Sequence, residues 1–402
     1  MRVASRIAFV HPDLGIGGAE RLVVDAALSL QDAGHRVSIY TSHHDPARCF
    51  PETRDGTLEV RVYGNFIPSH LGNHLRAPLA IAGMAYASAA LAGQAGDVDL
   101  IFCDLVPHVI PLLRLLSRAP VLYYCHFPDL LHAAPRRGLY GLYRRPIDWA
   151  EGVATGMASR VLVNSEFTAS AFRRTFSGLQ QMPLDVVHPG VDTALYDGIP
   201  TEVEDEGTIT VLSVNRFERK KGHDLAISAF AQLRGRLPDE VFSRLRLVIL
   251  GGFDDRVAEN RVTFAGLQTQ ARDNGVHDLT EFVRSCPDAE RLQWLARSRC
   301  VLYTPSDEHF GYVPIEAMAA GRPVVAVDRG GPRETVVHDV TGFLCAPSAE
   351  AFASAIARLV TEPGTAERMG RAGREHVRAN FSRPAFAQRL LGIVDEMTSS
   401  AS

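Results

Sequence analysis

The run Glu308-His309-Phe310-Gly311-Tyr312-Val313-Pro314-Ile315-Glu316 holds two carboxylates eight positions apart around a glycine. It follows the strand-like Val301-Leu302-Tyr303 and opens a segment of helical patterning that ends at Gly321. Glu308 then sits on a strand-to-helix loop, and Glu316 two turns later within the helix. In open α/β sheets, ligands bind beyond the carboxyl ends of strands, where this loop falls. Gly311 permits close backbone approach, and the N–H groups of a helix start meet hydroxyl or phosphate oxygens. A carboxylate at Glu316 can accept both hydroxyls of a ribose. An acidic residue ahead of a helix also simply favours the dipole. That accounts for Glu308 but not for the glycine, the spacing and the preceding strand.

A second cluster, Asn215-Arg216-Phe217-Glu218-Arg219-Lys220-Lys221-Gly222, also comes straight after a strand. Arg216 as a fork and Lys221 as a point charge suit one diphosphate. A solvated basic turn has the same composition. Against that stands the residue usage: of 42 basic residues, the only lysines are Lys220 and Lys221.

Two weaker signals lie in the first half. Gly15-Ile16-Gly17-Gly18 occupies a strand-to-helix turn, but position 20 is Glu20 rather than the glycine of a dinucleotide fingerprint. Thr41 and Ser42 stand where a ribose-binding acid belongs in that fingerprint, so the turn lets something bulky approach and gives no case for NAD. Tyr124-Cys125-His126-Phe127-Pro128-Asp129 ends another strand and offers a histidine and a carboxylate. A lone histidine is more often structural, and the residues alone leave His126 between the two roles. No metal is expected. Asp97-Val98-Asp99 precedes its strand and so lies at the wrong end of the sheet, and His43-His44-Asp45 lacks a second ligand set.

The elements that must position these residues form a pattern repeated once. Strand-like runs are expected at Arg6–His11, Arg36–Thr41, Leu100–Cys103, Val121–Cys125 and Arg160–Val163, with a helix over Ala19–Ala33 capped by Gly34. The second half repeats the alternation, with strands at Thr208–Val214, Leu245–Leu250, Leu279–Val283, Cys300–Tyr303 and Pro323–Val327 and a helix over Gly222–Leu233. Alternation of this kind implies parallel sheets wrapped by helices. At 402 residues, two domains of about 200 residues are expected. The acidic Thr201–Gly207 reads as linker, and an amphipathic segment near 384–397 could return to brace the first domain. The expected architecture is α/β: two Rossmann-like domains, 1–192 (with 384–402) and 193–383, facing a central cleft.

Bulk properties narrow the partners. A net charge of −4 leaves no basic footprint for nucleic acid. Six cysteines without pairwise rhythm read as reduced thiols of a cytoplasmic protein. Ala77–Gly96 is long enough to cross a bilayer, yet its Ala, Gly and Ser content reads as a packed helix. The run Arg136-Arg137-Gly-Leu-Tyr-Gly-Leu-Tyr-Arg144-Arg145 mixes cations with apolar residues, which suits either an anionic membrane interface or an ordinary solvated helix.

Taken together, the Glu308–Glu316 pair, Arg216 with Lys221, and Gly17-Gly18 resemble the GT4 family of GT-B glycosyltransferases. Within it the chain is most similar to the α-1,3/α-1,6-mannosyltransferase branch of dolichol-linked oligosaccharide assembly. His11–Leu28, Tyr124–Leu131, Arg145–Trp149, Val163–Thr168, Asn215–Lys221, Tyr303–Gly311 and Gly330–Glu334 carry the likeness along nearly the whole chain. The resemblance implies that Glu316 holds the nucleotide ribose and that Arg216 and Lys221 hold the diphosphate. It places Glu308 by the transferred sugar, Gly311 and Tyr312 presenting N–H groups to sugar hydroxyls, and His126 contacting the sugar. Gly17 and Gly18 would let acceptor and diphosphate close together. It further implies retention of α configuration, GDP-mannose as donor without a metal, and a lipid-linked oligosaccharide acceptor reached by peripheral membrane contact. A GT4 transferase using a UDP-sugar, a sugar-nucleotide epimerase and a non-catalytic nucleotide-sugar sensor are the rival expectations.

Overall fold

Runs such as Ile7–Val10 and Val211–Val214 are apolar at every position, so both faces of each strand need cover. In the computed structural model, which describes residues 4–68, 75–94, 98–132, 138–203 and 207–399, each run is the middle of an all-parallel sheet. The first sheet comprises β1 (Arg6–Asp13), β2 (Arg36–His43), β3 (Glu59–Val62), β4 (Leu100–Asp104), β5 (Val121–Cys125), β6 (Arg160–Val163) and β7 (Leu184–Val186) in the order β3-β2-β1-β4-β5-β6-β7. The second comprises β8 (Ile209–Val214), β9 (Leu245–Gly251), β10 (Thr280–Arg284), β11 (Ser298–Tyr303), β12 (Val324–Val327) and β13 (Gly342–Cys345) in the order β10-β9-β8-β11-β12-β13. Alternate side chains feed opposite layers. Phe9 packs with the helix α1 (Gly18–Asp32), whereas Val10 packs with Met84 of α2 (Arg76–Gln94). In the second sheet Val211 joins Ile227 and Phe230, and Leu212 joins Ile315 and Met318.

The chain divides into two compact units, one running to Gly190 and resuming at Arg383, the other Val191–Ser382. Further helices of the first unit include α3 (Ile110–Leu116), α4 (Gly138–Thr155), α5 (Glu166–Thr175) and, at the far end of the chain, Arg383–Ser399. That last helix buries Phe386, Leu390 and Val394 in the core that holds Leu22, Val23 and Leu30 of α1. The Arg383 guanidinium Nε lies 3.0 Å from Asp25, and Arg160 Nη1 lies 2.6 Å from Glu396.

Strand order reverses between β1 and β4 in the first sheet and between β8 and β11 in the second. Loops leaving a parallel sheet on either side of such a reversal splay apart and open a crevice at the strands' carboxyl ends. Three strands escape the sequence patterning: β3, β7 and β13. Each is a short edge strand, and β3 and β7 are only partly buried, so they carry no full apolar run. The apolar Ala77–Gly96 stretch forms α2, which packs Met84, Ala87 and Leu91 inward; Gly96 lies outside the described residues. No helix of the described residues is long and apolar enough to cross a membrane.

Candidate active site

In the second unit, both chemistry-bearing loops leave the strands that flank the reversal. The loop after β8 is fastened from three sides. His223, buried at the start of helix His223–Gln232, donates from Nε2 to the Asn215 carbonyl at 3.1 Å and accepts at Nδ1 from Ser213 Oγ at 3.0 Å. Burial lowers its pKa to about 4, so it serves as a neutral clasp. Gly251 ends β9 where an added Cβ would lie 1.6 Å from the Asn215 carbonyl oxygen, so glycine alone lets the loop cross. Thr304 Oγ1 donates to the Lys221 carbonyl at 2.7 Å, and Gly222 takes φ +68° against Thr304.

The loop after β11 is held just as tightly. Gly331 N–H donates to the Glu308 carbonyl at 2.9 Å, and a Cβ on Gly331 would stand 2.2 Å from the Phe310 carbonyl oxygen. Gly311 precedes the helix Tyr312–Ala319 at φ +89°, a left-handed conformation that glycine adopts without strain. The result is one charged assembly. Lys221 Nζ lies 2.6 Å from Glu308 Oε2. Burial acts to raise the Glu308 carboxyl, but Lys221 overcomes it and holds the group below its ordinary value, with the Tyr303 hydroxyl also donating to it. Arg216 Nη1 lies 2.9 Å, and Lys220 Nζ 3.3 Å, from the Glu218 carboxylate. Glu316 pairs with Arg291 of helix Asp288–Arg297. Burial pushes Glu316 up and Arg291 only partly offsets it, so this carboxyl ends above its ordinary value.

Arg216, Lys221, Glu308, Gly311, Tyr312 and Glu316 thus share one rim of the second unit. Arg216 and Lys221, expected to converge on one diphosphate, each stand against a different carboxylate. Sequence reasoning missed Glu218 and Arg291. Glu218 was visible inside the basic cluster, whereas Arg291 is brought to Glu316 only by packing.

In the first unit, His126 follows β5 and places Nε2 2.9 Å from Asp104 Oδ1. The other oxygen of Asp104, at the end of β4, lies 3.0 Å from His11 Nδ1 on β1. His11 and Asp104 are fully buried, and only His126 reaches the surface. Asp104 ends well below the usual carboxylate range: burial opposes ionisation, and the two histidines outweigh it. For His11, burial acts to lower the imidazole and Asp104 outweighs it, leaving the pKa raised. Leu105, next in the chain, adopts φ +59°, a strained conformation for a non-glycine residue of the kind held at functional sites.

Sequence reasoning missed His11 and Asp104. Asp104 ended a recognised strand beyond Cys103, but 93 residues separate it from His11. The carboxylate beside His126 is Asp104. Asp129 pairs at 2.7 Å with Arg144, which also lies 2.8 Å from Asp148. Arg144 is consequently buried, which removes it from the basic surface expected over 136–145; Arg136 and Arg137 lie outside the described residues.

Gly17 caps α1 in an extended conformation, φ −171°, that any residue could take. An added Cβ would stand 2.2 Å from a carboxylate oxygen of Glu20, the end of a flexible side chain that folds back over the cap and could turn aside. Gly18 opens the helix itself. Asp97 of the Asp-x-Asp motif lies outside the described residues, and Asp99 accepts from the Arg6 N–H at 2.6 Å. Among the described residues, no three His, Cys, Asp or Glu side chains gather as a metal-ion cage.

These two loop systems correspond to two recognised sequence families. Residues 16–195 match "Glycosyltransferase Family 4", and residues 199–376 match "Glycosyl transferases group 1". The chain is 43% identical over 400 residues to the alpha-1,3/1,6-mannosyltransferase ALG2 of Homo sapiens, spanning 97% of this chain and 96% of that protein. This chain is a family 4 glycosyltransferase. The same named enzyme of Rhizomucor pusillus is 41% identical, spanning 98% of this chain and 92% of that protein. The family's GT-B fold is likewise seen in sucrose-phosphate synthase from Thermosynechococcus elongatus, with a TM-score of 0.77 at 23% identity over 99% of this chain and all of that one.

Proposed function

We propose that this glycosyltransferase moves α-mannose from GDP-mannose to an oligosaccharide carried on a polyprenyl diphosphate, through an α-1,3 linkage, an α-1,6 linkage or both, with retention and without a metal ion. The observation that carries the reading is the 43% identity, over 97% of the chain, to an enzyme named for those two linkages. In this reading Glu316, steadied by Arg291, takes the ribose hydroxyls, and Arg216 and Lys221 leave their carboxylate partners for the donor diphosphate. Gly311 and Tyr312 offer N–H groups to the sugar, and His126 contacts it. Gly17 and Gly18 leave room for acceptor and diphosphate.

The reaction proposed is front-face transfer. The bond from the anomeric carbon to the diphosphate breaks, a bond to the acceptor oxygen forms on the same face, and the acceptor proton passes to the departing phosphate. Arg216 and Lys221 stabilise the charge that develops there. Covalent sugar trapped on Glu308 would sink this scheme. The assignment of donor is tested by calorimetry with GDP-mannose, GDP, UDP-glucose and UDP-N-acetylglucosamine in EDTA. Selective binding of GDP-mannose and GDP supports mannosyl transfer; preference for a UDP-sugar keeps the mechanism and overturns the mannose assignment.

A further inference from the structure

Helix α4 is built inside out. Its buried side carries Arg144, Glu151 and Thr155, with Glu151 accepting the Asp129 and Leu130 N–H groups at 2.7 and 3.0 Å. Its solvent side carries Leu142, Trp149 and Val153, which are 66%, 71% and 46% exposed. These stand at i, i+7 and i+11, one stripe of the helix, with Arg145 among them. A surface helix normally keeps that stripe polar. The end of α3 continues the patch: Leu115 is 80% exposed, and Arg114 beside it donates to the Met157 carbonyl just past α4 at 2.8 Å. Of the only carboxylates on α3 and α4, Glu151 is buried and Asp148 is half-buried against Arg144, so the exposed charges of these helices are the arginines Arg114 and Arg145. Arg114, Ser117 and Arg118 also line an open recess of 680 Å³ whose one carboxylate, Glu396, is engaged by Arg160.

We infer that the outer face of α3 and α4 docks on an anionic phospholipid bilayer. Apolar side chains, a tryptophan and arginine cations are what such an interface attracts. The inference deepens the proposed use of a lipid-carried acceptor by naming the surface that would reach it.

The test uses the full chain bearing Trp294→Phe, which leaves Trp149 as the sole tryptophan of the two present. Vesicles of phosphatidylcholine, with and without phosphatidylglycerol, are the probe. Flotation with the anionic vesicles and a blue shift of Trp149 emission are expected, both weakened by salt. Arg118→Ser with Arg145→Ser should lower partitioning about 30-fold, since each arginine at the surface contributes about 1 kcal/mol. Leu115→Ser should abolish the salt-resistant remainder. Failure to float, or flotation and emission unchanged in these variants, overturns the inference. So does a dimer formed without lipid that the same variants dissociate, since the face would then join two copies. Neither donor nor acceptor is present, so this outcome is independent of the mannosyl assignment; GDP-mannose binding by the variants, read by calorimetry, should match the parent chain.

Discussion

Each cation assigned to the donor already faces a carboxylate: Lys221 stands on Glu308, and Arg216 on Glu218. The carboxylates hold the cations in place, and exchanging them for phosphate trades one anion for another at low reorganisation cost. Lys221→Ala removes charge from the leaving group, and a loss of about 10²- to 10³-fold in kcat is expected in steady-state assays. In the first unit, Asp104→Asn keeps the shape but weakens the hold on His126, and misplacement of a sugar contact costs up to about 10²-fold in kcat. A positioning role requires that Asp104→Asn lower kcat while donor affinity, measured by calorimetry, stays constant. The same triad makes stability depend on pH. Asp104 is depressed, so its contribution is full at neutral pH and is lost on acidification through its folded pKa. His11 is raised, so its contribution is present below its ordinary 6.5 and is lost as pH rises through its folded value. Urea melts should therefore show His11→Gln narrowing the gap in stability between mildly acidic and alkaline pH.

At the scale of elements, glycines decide where loops may cross strands. Gly331 sits at φ −57°, open to any residue, yet a Cβ there would meet the Phe310 backbone at 2.2 Å. Gly331→Ala must push the 308–311 loop away, costing about 1–3 kcal/mol by overpacking and displacing Glu308 from Lys221. Thermal melting should fall together with kcat; an unchanged kcat would separate the loop's position from catalysis. Deletion of the final helix, Arg383–Ser399, strips Phe386, Leu390 and Val394 from the core beneath α1. At roughly 1.5–3 kcal/mol for each buried side chain, the truncated chain is expected in the insoluble fraction, a result read directly by fractionation.

For the whole molecule, the apolar clusters divide with the units: two lie in the first and two in the second. The residues assigned to the donor fall within the second unit's loops after β8 and β11 and the helix Tyr312–Ala319, apart from Gly17, Gly18 and His126. GDP should therefore slow hydrogen exchange chiefly over 215–222 and 308–316, and mass-spectrometric exchange would locate that protection. Strong protection confined to β3 or β7, far along the sheet order from any assigned group, would contradict the donor assignment.

Two parallel α/β halves, the interior strands and the loops bearing Arg216, Lys221, Glu308 and Glu316 were all legible in sequence. Fully apolar runs, glycines and charges at strand ends are local signals that leave a mark in composition. Edge strands β3 and β7 left little mark, because a strand covered on fewer sides needs fewer apolar residues, and buried β13 spans only four residues. Only the fold could bring His11 to Asp104, set Arg291 against Glu316, and pair Asp129 with Arg144. Those meetings depend on strand order and helix packing across tens of residues, information that residue spacing along a chain does not carry.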